Sequence, residues 1–409
     1  MASNFTWLDY SEYERQKMLE IIDIIREEET RDELGLGTVR DAFADFFFPG
    51  TSTIQTRARY FLFIPWLYLE IEKRHYPSHE APNRSRKLQD RLRQGLCNGK
   101  EEGGVIGSRA GIDVQRLPSN IYWQGLRKWN ILRYSGSEND YVRQLDSFYL
   151  RQKIALPIEK EETPDRPASN WDLRLPKPPE NWLDESSFRL DKNEAEYLIE
   201  RVRFSNSRSM LAFLLSEGKH IPEGAGFPWA LSGIEGMPEV LKLTLKHARS
   251  FSEVMHGAAL LYNLILAEQI SADDLASDYL DDIQEWWQRI HEDPNILESW
   301  KLNEFRGLLG DPILARINVS TWLFIEQWVS FVRNSRDVSM IRTSKSIRNL
   351  IENRERRLKN GRMRIGSSRA KEDWNGASGT GQLDYRWNRP VRDLVNDILQ
   401  PLEQEALHA

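Results

Sequence analysis

The chain has 409 residues, with 56 lysines and arginines against 62 aspartates and glutamates, for a formal charge of -6. That length is too great for one small core and implies two or three subdomains. A single cysteine, Cys97, excludes an internal disulfide or a cysteine metal cluster and fits a reducing, cytoplasmic setting, while the acidic balance excludes wholesale coating of nucleic acid but not a local basic patch.

The opening residues, MASNFTWLDYSEYERQ, turn polar and acidic before any apolar run, so neither a signal peptide nor a membrane span is expected. Ser11 and Glu14 have capping-box spacing, and Met18, Ile21, Ile22 and Ile25 form a stripe of period 3.6, which predicts an amphipathic helix. TVRDAFADFFF follows as a short helix with Thr38 as its cap, stopped by Pro49 and Gly50. Next, TSTIQTRARYFLFIPWLYLEIEKR is apolar on nearly every side. Its approach, PGTSTIQTR, has one glycine and no lysine, so it is no phosphate loop of the Walker type. The segment reads as a core helix capped by Ser52 or Thr53 and kinked or broken at Pro65. The other reading is an anion site in which Ser52, Thr53, Arg57 and Arg59 surround a phosphate or carboxylate at the helix start. Asp41 and Asp45 are the nearest internal partners for the arginines, which in that case are structural.

SRKLQDRLRQGL is a basic helix that runs into a glycine-rich loop, and PSNIYWQGLRKWNIL is a helix capped at Ser119. Residues 159–181 are dense in proline and charge, as in a linker or a surface excursion. Asp191 and Glu194 form a second capping box, and long helical patterns follow through EVLKLTLKHARSFSEVMHGAALLYNLILAEQI, DDLASDYLDDIQEWWQRIHED and PILARINVSTWLFIEQWVSFVRN. Two-residue alternation is almost absent. The expected fold is mainly α and multi-helical, with two or three subdomains and minor β content. The expected order is an N-terminal helical domain (1–158), a Pro-rich linker or excursion (159–190), a central helical domain (191–340), and a basic C-terminal region (341–409) packed on the helical body.

Chemistry-bearing motifs are scarce. His247 and His256 lie nine residues apart, about half a turn out of register on a helix, so they do not make a metal pair. The chain has no HExxH and no GxSxG motif, and no cofactor or metal is implied. The aspartates between Asp273 and Asp282 suit a helix start facing water. The strongest contrast is TSKSIRNLIENRERRLKNGRMRIGSSRAK. Its period places Ile347, Leu350, Ile351 and Leu358 on one side and Lys345, Arg348, Arg356 and Lys359 on the other, with Glu352 among them. Lys345, Arg348, Arg356, Arg357, Lys359, Arg362, Arg364 and Arg386 are therefore the candidate nucleic-acid contacts, since each neutralised phosphate releases counterions. Trp374, Tyr385 and Trp387 lie among arginines, where they either stack on unpaired bases or pin a loop to the core.

Three stretches, TRDELGLGTVRDAFADFFFPGTSTIQTRARYFLFIPWLY, LPSNIYWQGLRKWNIL and WNGASGTGQLDYRW, resemble the signature blocks of an uncharacterised bacterial family of the domain-of-unknown-function type, with blocks spread over nearly the whole chain. The resemblance brings no activity and no catalytic residue. It implies genes that neighbour helicases and nucleases in phage-defence clusters. The expectation is a non-catalytic accessory subunit of a bacterial antiphage system that binds DNA or RNA and a helicase or nuclease partner. One alternative is a nuclease or nucleotide-processing enzyme in which Arg57, Arg59 and Asp41 converge, and another is a protein-binding scaffold.

Overall fold

A computed structural model describes residues 32–101, 103–111, 114–155, 169–308, 317–367, 371, 374–379 and 381–406. The helix expected from Ser11 lies outside them, as does the Pro-rich stretch up to residue 168. The described chain is mainly α: α1 (Gly37–Phe47), α2 (Tyr60–Lys73), α3 (Ala81–Asn98), α4 (Pro118–Lys128), α5 (Glu138–Arg143), α6 (Leu145–Ala155), α7 (Lys192–Asn206), α8 (Met210–Ser216), α9 (Glu239–Gln269), α10 (Asp273–Glu292), α11 (Leu302–Leu308), α12 (Val319–Asn334), α13 (Val338–Thr343), α14 (Lys345–Lys359) and α15 (Arg392–Ala406). Among the described residues, one isolated antiparallel bridge, Leu132 to Trp171, is the only β pairing, and no helix is long and apolar enough to cross a membrane. Two compact units divide the chain: Met1–Ala42 with Leu243–Leu383, and Phe43–Lys242 with Asp384–Ala409.

Local chemistry explains where the helices start. Asp32, not Thr38, caps α1: its carboxylate accepts from the backbone N–H of Leu36 at 2.9 Å and of Gly37 at 2.6 Å. At the end of α1, Gly50 takes φ +85°, and a Cβ there would lie 2.5 Å from Trp129 Nε1, which itself donates to Pro49 O. Neither Ser52 nor Thr53 caps the core helix, which begins at Tyr60 with no side-chain cap. The preceding donors are already used. Gln55 accepts from Ser52 N, and the Tyr122 hydroxyl accepts from both Thr56 N and Arg57 N. Pro65 also leaves α2 unbroken. It sits in the second turn and removes one hydrogen bond, while burial of the residues from Tyr60 to Tyr68 holds the helix together.

In the unit holding α2, that helix packs on α3 and α4, and α15 packs on α7 and α8. Ser119 is not the cap of α4. Its hydroxyl lies inside the helix, donating to Glu138 and accepting from Gln89. Asp191 and Glu194 do form a reciprocal capping box at α7. In the unit holding α14, α10 packs on α13 and α12 on α14. Gly257 of α9 sits directly under Trp286 of α10.

Candidate nucleic-acid interface

Helix α14 buries Ile347 and Ile351 as their spacing requires, but it also buries three charged residues, Arg354, Glu355 and Lys359. Arg354 reaches Leu34 O at 2.8 Å, Thr321 Oγ1 at 2.7 Å and Ser320 Oγ at 3.1 Å, with its guanidinium over the Phe324 ring. Burial pulls this arginine down to about 10. Glu355 accepts from the Tyr262 hydroxyl, Arg364 N and Ile365 N at 2.8–3.0 Å. Charges satisfied in this way are kept inside. At about 100° per residue Arg354 falls within the apolar side and Glu355 and Lys359 extend it, so the buried face is turned roughly 40° from the one that hydrophobic spacing alone gives.

That rotation sorts the eight candidate cations. Lys359 is buried and pairs with Glu33 at 3.0 Å, and Arg364 pairs with the same carboxylate. Arg348 is half-buried, donating to Glu268 and to Arg342 O. Arg356 is exposed and bonded to Glu352 and Asn353. Lys345, Arg357 and Arg362 are exposed. Arg386, in the other unit, donates to Asp45 at 2.9 Å and to Thr51 O at 2.7 Å. The exposed positions of α14 are Lys345, Ser346, Asn349, Asn353, Arg356 and Arg357. They span an arc of about 120° at 100° per residue. This arc carries three cations, two amides and a hydroxyl, with the half-buried Glu352 at its edge, about 20° beyond Lys345 and bonded to Arg356.

The two arginines of the alternative anion site are engaged within their own unit. Arg57 makes a two-pronged contact with Asp397 at 2.8–3.1 Å, and the same carboxylate accepts from Ala58 N at 2.9 Å. Burial alone lowers the Arg57 pKa, but the Asp397 bond and charge more than reverse this, so the guanidinium is held firmly protonated. Arg59 is buried against Glu194 at 2.7 Å and Ser187 O at 2.9 Å. Ser52 is half-buried and Thr53 exposed. The expected partners differ: Asp41 pairs with Arg40, and Asp45 with Arg386. The aromatic set is internal. Trp374 donates to Asn263, Trp387 donates to Ala225 O, and Tyr385 packs on Phe43.

Sequence reasoning missed Glu33, Glu194, Glu268, Glu355 and Asp397 as charge partners, since no local pattern announces them. It also passed over Asn349 and Asn353, whose four-residue spacing does place them on one helix face.

Fold and charge distribution together define a multi-helical protein in which many of the described arginines are matched by carboxylates of the same chain, and the outer face of α14 is cationic. The chain belongs to DUF6361, a family of unknown function, matching it over residues 2–398. No curated protein and no solved structure matches the chain.

Proposed function

We propose that this protein is a non-catalytic nucleic-acid-binding subunit that grips its ligand through the outer arc of α14. The observation that supports this reading is the composition of that arc: three cations with two amides and a serine, against one half-buried carboxylate, Glu352, at its edge, on a chain whose net charge is -6. A solvated helix face of an acidic protein ordinarily balances both signs, and a face on which cations outnumber carboxylates suits a polyanion. Arg348, Lys359, Arg364 and Arg386 then serve structure, because each is at least half-buried against a carboxylate partner, whereas Arg356 stays exposed beside Glu352. A bacterial antiphage setting, with a helicase or nuclease as protein partner, is what the family resemblance adds.

The test is a low-salt gel shift with the Lys345→Glu/Arg357→Glu double variant. Both side chains are exposed, so the fold should persist by circular dichroism. Binding at least tenfold weaker than the parent is expected, and unchanged binding by a folded variant refutes the proposal.

A further inference from the structure

We infer that the outer arc of α14 enters the major groove of B-form DNA, with Asn349 and Asn353 at base edges and the cations on the two phosphate walls. This rests on the nucleic-acid reading above and narrows it to one ligand class. Measured from Lys345 at 100° per residue, Arg356 lies at about 20°, Asn349 at 40°, Asn353 at 80°, Ser346 at 100° and Arg357 at 120°. The amides therefore occupy the middle of the arc, with cations at both margins. Along the axis, Asn349 and Asn353 are separated by about 6 Å, close to two base-pair steps of 3.4 Å. Lys345 and Arg357 are about 18 Å apart, which spreads the phosphate contacts along the groove. Asparagine reads adenine through its paired donor and acceptor, and arginine and lysine at the rim hold the backbone. Arg356 is already oriented by its bonds to Glu352 and to the Asn353 side-chain oxygen, and on binding DNA Asn353 exchanges that bond for the base edge.

Two other classes of nucleic acid fit less well. Single strands are gripped by stacking on exposed aromatics, but the arc has none, and Trp374, Tyr385 and Trp387 are buried. Duplex RNA closes its deep, narrow major groove to a helix.

Fluorescence anisotropy with the full chain separates these cases, using a random-sequence DNA duplex, one of its single strands and an RNA duplex of equal length. The DNA duplex is expected to bind about tenfold tighter than either of the others. Rounds of selection from a random duplex pool should enrich a short motif, and Asn349→Ala/Asn353→Ala should flatten that enrichment, since one amide contact discriminates bases by roughly 5- to 150-fold. The same variant should keep its affinity for the unselected pool within about threefold, because the phosphate contacts remain. Equal or tighter binding of the single strand or the RNA duplex, lost on Arg357→Glu, overturns the duplex assignment and leaves the nucleic-acid reading standing. Full enrichment by the double alanine variant likewise overturns the role of the amides. Binding of none of the three overturns both.

Discussion

Replacing Asp397 with alanine should destabilise the unit built around α2 by about 2–4 kcal/mol. Its carboxylate takes three short contacts from Arg57 and one from the N–H of Ala58, a residue with no exposure. Removing one partner of a buried ion pair costs about 3–5 kcal/mol, but the Arg57 side chain is 27% exposed and recovers part of its hydration. About 1–2 kcal/mol is therefore assigned to the guanidinium and about 1–2 kcal/mol to the orphaned Ala58 donor. For a unit of this size each kcal/mol lowers the melting temperature by about 2–4 °C, so a drop of roughly 4–16 °C is expected. Asp397→Asn keeps a neutral acceptor for Ala58 and should lose about half as much. Thermal melts followed by circular dichroism at pH 7, paired with urea titrations, measure both variants. An alanine variant within about 0.5 kcal/mol of the parent refutes the claim that this carboxylate ties residues 340 positions apart.

Two further outcomes concern stability. Burial holds the Glu72 carboxyl above the usual carboxylate range despite donors from Tyr141, Asn170 and Trp171. The folded state thus binds this proton more tightly than the unfolded state. The stabilisation is complete below the unfolded pKa of about 4.3 and is lost as pH rises through the folded value. Glu72→Gln, which keeps an acceptor oxygen, should therefore gain stability relative to the parent between pH 4 and pH 8 in urea titrations, and parallel profiles contradict this. Gly257→Ala should destabilise the other unit by about 1–3 kcal/mol although alanine favours helix, because the new Cβ would meet the Trp286 ring at 2.2–2.5 Å. A variant as stable as the parent in denaturant titration contradicts that packing.

Periodicity is a property of neighbours in sequence, and for that reason the mainly α class and the long helices α9, α10 and α12 were legible. So was the Asp191–Glu194 capping box, in which both halves of the interaction lie within one turn. Other start signals misled where a competing partner was distant: Tyr122 takes the donors that a helix from Ser52 needs, and Gln89 and Glu138 take the Ser119 hydroxyl. The site followed the same rule. That α14 is basic and docks on its isoleucines could be read directly. Its angle about its own axis could not, because that depends on Leu34, Thr321, Tyr262 and Arg364 meeting Arg354 and Glu355. Hydrophobic spacing puts Arg354 on the apolar side and Glu355 just beyond its margin, and hydrogen bonds from remote segments hold both charges in the core. Lys359 and Arg348 turn toward carboxylates as a result, and Asn349 and Asn353 turn outward.

The salt dependence of DNA affinity tests the central claim most directly. If Lys345, Arg356 and Arg357 each neutralise one phosphate, a plot of log K against log salt should have a slope of about -3. Arg356→Glu/Arg357→Glu should reduce it to about -1. A slope near zero in the parent, or one that this variant leaves unchanged, would mean that the outer face of α14 does not hold the polyanion.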